Sequence, residues 1–178
     1  EQKAFALLGL LTAKPVLYVC NVDEASAAAG NAHARKVEAR AKVEGAVSVV
    51  ISAKIESEIA VLSRAERDEY LAAVGLKEAG LDRLIRAGYQ LLDLVTYFTV
   101  GPKEARAWTI TRGTRAPQAA GVIHTDFERG FIRAETIAYD DYVRFGGEAG
   151  ARDNGKLRLE GKDYVVADGD VMHFRFAT

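Results

Sequence analysis

Two short apolar runs, each followed by a polar turn and then a helix-forming stretch, constrain this chain more than any other feature. The first, Pro15-Val16-Leu17-Tyr18-Val19-Cys20, leads into Asn21-Val22-Asp23-Glu24. A stretch rich in Ala, Lys, Arg and Glu then runs over 25–44, with a break at Gly30-Asn31 and a stop at Gly45. The second run, Ala46 to Ile51, leads into Ser52-Ala53-Lys54 and another helix-forming stretch. Runs this apolar suit parallel strands covered by helices on both faces. Strand, polar loop and helix, repeated, is the pattern of a doubly wound α/β sheet. Only two such strands occur, so the sheet expected here is partial.

The flanking segments complete the layout. Glu1 to Ala13 has the spacing of a helix with Phe5, Leu7, Leu8, Leu10 and Leu11 on its apolar face, ended by Pro15. Residues 63–92 are expected to be helical with breaks near Gly75 and Gly80, and Leu81, Leu84, Ile85, Tyr89 and Leu92 recur at helical spacing as core candidates. From about Leu94 the texture changes. Tyr97–Val100 and Ala105–Ile110 flank Gly101-Pro102 as a hairpin, and a helix is expected over 117–124. Strands are expected near 131–136, 157–159, 164–166 and 171–176, with Asp168-Gly169-Asp170 as a tight turn. A strand pair, a helix and further strands on one mixed sheet make a β-grasp (ubiquitin-like) arrangement. The expected domains are therefore 1–92 and 93–178.

Charge offers no global field. Residues 1–92 carry 12 Lys/Arg against 12 Asp/Glu, and 93–178 carry 12 against 13, so any nucleic-acid contact must come from a local patch. One cysteine, Cys20, excludes a disulfide framework and a cysteine zinc site, and it fits a reduced cytoplasmic setting. No apolar run reaches the roughly 18–20 residues needed to span a bilayer. No membrane partner and no reading of DNA sequence are expected.

The two polar loops carry the chemistry. Loops after adjacent parallel strands sit where open α/β sheets bind ligands. In GTPases such a pair carries Asn-Lys-x-Asp and Ser-Ala-Lys. The carboxylate there accepts bonds from guanine's ring N–H and amino group, while Asn and a backbone N–H read the other edge. Losing one charge-assisted member costs on the order of 1.5–3 kcal/mol. Here Val22 stands in the Lys place and Glu24 in the Asp place. The Lys stem that packs along the base is gone, and the longer carboxylate does not superimpose on the guanine-reading position. Adenine is the base expected, held by Asn21, Val22, Glu24, Ser52, Ala53 and Lys54.

An Asn-x-x-Glu loop in place of Asn-Lys-x-Asp resembles the YchF group of Obg-related P-loop proteins. The likeness extends to Ala65–Tyr70, Gly80–Tyr89, Thr96–Thr99, Ala105–Ile110, the long stretch Ala116–Ala134, and Gly161–Tyr164 through Met172. The resemblance implies the last two strands and helices of a P-loop G domain, followed by a TGS domain. It implies a ribosome-associated protein that hydrolyses ATP in preference to GTP and needs magnesium. No G-x-x-x-x-G-K-[ST] occurs in this sequence, and the family's switch segments and hydrolytic histidine have no counterpart. This stretch is therefore not expected to hydrolyse ATP or to bind nucleotide or metal tightly by itself. A binding module without a nucleotide role is the alternative.

The remaining polar residues have plainer roles. His33 reads as a surface residue, His173 as a strand residue, and His124 beside Asp126 as a structural bond at a turn. Arg112, Arg115, Arg129 and Arg133 fall around the 117–131 segment, with Arg106 and Lys103 nearby in sequence. They are the candidates for a phosphate-binding patch that contacts RNA or the ribosome. Tyr97, Phe98 and Trp108 are read as core, and Asp140, Asp141 and Glu148 as surface charge.

Overall fold

A computed structural model describes residues 7–177. It divides into two units, 1–92 and 93–178. The helix expected over 1–13 lies partly outside the described residues, Phe5 included. Leu11–Ala13 forms one 3-10 turn, and Leu7, Leu8, Leu10 and Leu11 are all exposed.

In the first unit, β1 (Leu17–Asn21) and β2 (Val47–Ile51) pair in parallel, from Leu17 opposite Val47 to Asn21 opposite Ile51. Between them runs α1 (Ala32–Glu44). The Asn31 carboxamide caps it by accepting from the amides of His33 (3.0 Å) and Ala34 (2.9 Å). Gly45 closes it at φ 68°, a left-handed conformation that costs a glycine little. The ladder continues one residue past β1, because the Val22 amide donates to the Ile51 carbonyl at 2.9 Å.

Three helices follow. The first, α2 (Ala53–Ile59), buries Ile55 and Ile59; α3 (Arg64–Ala73) starts on a capping box formed by Ser63 and Glu66. The last, α4 (Gly80–Leu91), has no cap of its own; the Glu56 carboxylate from α2 accepts from the amides of Gly80 (2.7 Å) and Leu81 (3.2 Å). Gly80 also lies against β2, where a Cβ would come within 3.0 Å of the Ile51 side chain. The core is Ala27, Ile55, Ile59, Leu71, Leu76 and Ala79.

Two expectations need correction. Leu81, Ile85 and Leu92 are about half exposed, and the buried positions of α4 are Gly80 and Ala87. Spacing identified an apolar stripe but not whether anything covers it. Nor are β1 and β2 covered on both faces: Val19 is 46% exposed and every residue of β2 is half-buried.

The second unit is one five-stranded mixed sheet. β3 (Leu94–Val100) and β4 (Ala105–Thr111) form a hairpin, with Val95 opposite Ile110 and Tyr97 opposite Trp108. Then come α5 (Ala116–Ile123), α6 (Thr125–Arg129), β5 (Phe131–Ala138), α7 (Tyr139–Arg144), α8 (Glu148–Asp153), β6 (Arg158–Glu160) and β7 (Asp170–Phe176). Strand order is β4-β3-β7-β5-β6, with β7 parallel to β3 and antiparallel to β5. First and last strands side by side and parallel at the centre make a β-grasp sheet. Ala116, Ala119 and Ala120 of α5 pack onto Val95, Tyr97, Ile110, Phe131, Met172 and Phe174. Tyr97 is fully buried and its hydroxyl donates to the Ala119 carbonyl at 2.8 Å.

Residues 164–166, expected as a strand, make only a single bridge between Val165 and Arg115. The backbone of this segment is bonded to the start of α5 and the turn before it: the Ala116 amide donates to Tyr164 and the Val166 amide to Thr114. The buried Asp170 carboxylate ties the segment to β7, accepting from the Ala167 amide (2.9 Å), the Tyr164 hydroxyl (2.6 Å) and Arg158 (3.1 Å). Burial, and then the Asp170 bond, push the Tyr164 hydroxyl up to about 12.

Candidate functional site: two stapled loops

Because β1 and β2 are parallel and in register, their following loops start side by side. Two contacts cross between them. The Asn21 Oδ1 accepts from the Ala53 amide at 2.9 Å, and Lys54 Nζ meets the Glu24 carboxylate at 2.5 Å. Both residues of the ion pair keep much of their side chain in solvent. The Lys54 bond lowers the Glu24 pKa, and the Glu24 bond raises that of Lys54. Asp23, between the two, caps the short turn Glu24–Ser26 by accepting from the Ser26 amide at 2.8 Å.

The other members divide by burial. Val22 is buried and its amide is taken by Ile51, so it offers no backbone donor. Ser52 is 2% exposed, and among the described residues its hydroxyl has no hydrogen-bond partner. Behind Lys54, the Tyr70 hydroxyl donates to Glu58, and both groups help hold up the lysine's pKa. The sequence reading missed Glu58 and Tyr70; Glu58 stands one helical turn after Lys54 on α2, while Tyr70 comes from α3 and has no local sequence signal. All six predicted loop residues therefore gather at the strand tips, four of them in direct contact in two pairs. What the pair of loops can do is present an amide NH2 (Asn21) and a polar, charge-balanced rim to a flat polar ligand.

The five predicted arginines are not gathered into one patch. Arg106 lies near the start of β4 and Arg112 just past its end, six residues or about 20 Å apart at roughly 3.3 Å per residue. Arg106 lies over the Trp108 ring, 4.1 Å from its centroid. Arg112 pairs with Asp93 at 3.0 Å and Arg115 with Asp163 at 2.8 Å. Arg129 ends α6, and Arg133 lies on β5, 3.9 Å from Glu135. His33 and His173 are exposed, and His124 caps α6 by accepting from the Asp126 amide at 3.2 Å. Among the described residues no three His, Cys, Asp or Glu side chains converge as a metal site would require, and no helix is long and apolar enough to cross a membrane.

A parallel strand pair with stapled tip loops, followed by a mixed five-stranded sheet, defines an α/β protein. Residues 94–177 match the family model YchF-GTPase_C, described as a protein of unknown function. Over 178 residues the chain is 56% identical to the ribosome-binding ATPase YchF of Bacillus subtilis (strain 168), covering 99% of this chain and 49% of that protein. The ribosome-binding ATPase YchF of Escherichia coli O157:H7 is 53% identical over 176 residues, with 99% of this chain and 48% of that protein covered. The structure of the Schizosaccharomyces pombe YchF GTPase superposes with a TM-score of 0.84 at 36% identity, covering 97% of this chain and 46% of that one. A GTP-binding protein from Pyrococcus horikoshii OT3, 18% identical with a TM-score of 0.63, shares the fold. The chain is similar to YchF-type proteins over nearly its whole length, and its second unit carries the match to the YchF C-terminal family model. It spans about half the length of the curated relatives it matches.

Proposed function

We propose that this chain supplies the base-recognition loops and the ribosome-contacting domain of a cytoplasmic P-loop ATPase that prefers ATP to GTP. Residues 1–92 are then the last strands and helices of its G domain, and 93–178 its TGS domain. The observation that carries the reading is the bond from Ala53 N–H to Asn21 Oδ1, which ties the two base-reading loops together before any ligand arrives. With its oxygen engaged, the Asn21 side chain presents its NH2 group, a donor suited to the purine's five-membered ring. Ser52, Ala53 and Lys54 form the opposite wall.

The preference for adenine follows from what the loops leave open. Guanine needs an acceptor for its ring N–H and amino group and a donor for its carbonyl oxygen. Glu24, the nearest acceptor, is neutralised by Lys54, and the Ala53 amide is already bonded to Asn21. Adenine makes neither demand. No group of this chain is assigned to the phosphates or to magnesium; both belong to the segment carrying the nucleotide-gripping loop, which this sequence does not contain. Contact with ribosomal RNA is assigned to the second domain, with Arg106, Arg112, Arg115, Arg129 and Arg133 among its cations. The relatives' name, ribosome-binding ATPase, supports both halves of the reading.

Calorimetric titration of the full-length protein with ATP and GTP analogues tests it. Tighter ATP binding is expected, narrowing in Lys54→Met as Glu24 is freed for guanine. A wild-type preference for GTP would overturn the assignment of the base.

A further inference from the structure

We propose that Arg133, Arg152 and Arg175, held around Glu135 on the sheet face away from α5, form a surface that grips RNA phosphates. The inference rests on the ribosome-contact reading above and gives it a location. Past the irregularity between Phe131 and Arg133, side chains alternate along β5 and β7, so Ala134, Met172 and Phe174 face α5 while Arg133, Glu135, His173 and Arg175 lie on the other face. In the antiparallel register, Arg133 stands directly opposite Arg175, and Glu135 opposite His173. Like charges directly opposite destabilise a sheet. Here the arrangement is tolerated because Glu135, with a side chain only 9% exposed, lies beneath them.

Glu135 organises three cations. Arg175 donates to it from Nε and Nη2, both at 3.1 Å, while Arg152 from α8 and Arg133 stand at 3.8 and 3.9 Å. The Arg175 bonds come first among the causes that lower the Glu135 pKa, with His173 and Arg152 adding to them. Arg152 is also held by Glu148 at 2.7 Å. The carboxylate is buried and the guanidiniums are not: their side chains are 52%, 56% and 46% exposed for Arg133, Arg152 and Arg175. Five N–H donors on each guanidinium leave most of them pointing to solvent, pre-oriented in planar forks that match phosphate oxygens. Cations exceed anions among these five groups, three to two, and of the two carboxylates Glu135 is buried while Glu148 is 40% exposed, so the exposed groups are three cations and one anion. That geometry favours a polyphosphate chain.

The test is the salt dependence of binding by this chain to 70S ribosomes and to a labelled single-stranded oligouridylate. Each phosphate contact to single-stranded RNA contributes roughly 0.7 to the slope of log affinity against log salt. Arg133→Gln leaves the Arg175–Glu135 bonds intact and is expected to lower that slope by about 0.7. Combined with Arg152→Gln and Arg175→Gln, it is expected to lower the slope by about 2. A folded single or triple variant with the wild-type slope overturns this surface. If charge reversal at Arg106, Arg112, Arg115 and Arg129 abolishes ribosome binding instead, the ribosome reading survives and this location does not. If neither set weakens binding, both fall. Competition by polyglutamate as strong as by oligouridylate assigns the surface to an acidic protein and refutes the RNA proposal.

Discussion

Replacing Asn21 with alanine cuts the bond that joins the two loops. The acceptor lost is the Oδ1 that holds the Ala53 amide at 2.9 Å, and nothing else in the pair replaces it. Ala53 is exposed, so water takes over the freed N–H and no desolvation penalty remains. The loss is therefore that of one ordinary hydrogen bond, about 0.5–1.5 kcal/mol net. At about 1.4 kcal/mol per tenfold, that is roughly a 2- to 12-fold faster opening of the Ala53 amide, read by native-state hydrogen exchange on this chain. The same factor is the minimum expected loss of ATP affinity in the full-length protein, since the loop pair must then be ordered at the moment of binding. Asn21→Asp separates the two effects: it keeps the acceptor and Ala53 protection but removes the NH2 donor, so affinity falls while exchange does not. If Ala53 exchanges no faster in Asn21→Ala than in the wild type, the staple does not exist in solution and the argument built on it fails.

Other expectations are simpler. Tyr97→Phe deletes a buried hydroxyl bonded to Ala119 and should cost about 1 kcal/mol, or roughly 4–8 °C in the melting temperature of the 93–178 unit. Gly150→Ala would place a Cβ 1.9 Å from the Phe145 carbonyl oxygen, and the forced shift is expected to destabilise the unit by about 1–3 kcal/mol in denaturant titration. Glu135 has its native pKa lowered, chiefly by Arg175, so its stabilisation is full at neutral pH and is lost as pH falls from the ordinary glutamate range through the lowered native value. Acid titration of Glu135→Gln should show a shallower loss of stability there; an identical acid limb contradicts the coupling.

Much of this could be read from the chain because it is local. Asn21 and Ser52 each follow an apolar run directly, and parallel pairing of the two runs brings their ends together without further information. The hairpin around Gly101 and the left-handed turns at Gly45 and Gly169 are likewise set by neighbours in sequence. What could not be read is settled over distance. Leu81 and Ile85 have the spacing of core residues, but exposure depends on what packs opposite. Arg106 and Arg112, close in sequence, are separated by the length of a strand. Arg133 and Arg175, 42 positions apart, face each other because of a register no local pattern encodes.

The last strand of the β-grasp sheet lies in the middle of it, between β3 and β5. During synthesis, everything from Leu94 onward must wait for Phe176 to leave the exit tunnel before the layers can close, because β3 meets β7 across more than seventy residues. The hairpin and α5 can form early, yet they stay without their central neighbour until the end. A stop codon placed before β7 should therefore leave this domain not shortened but unmade.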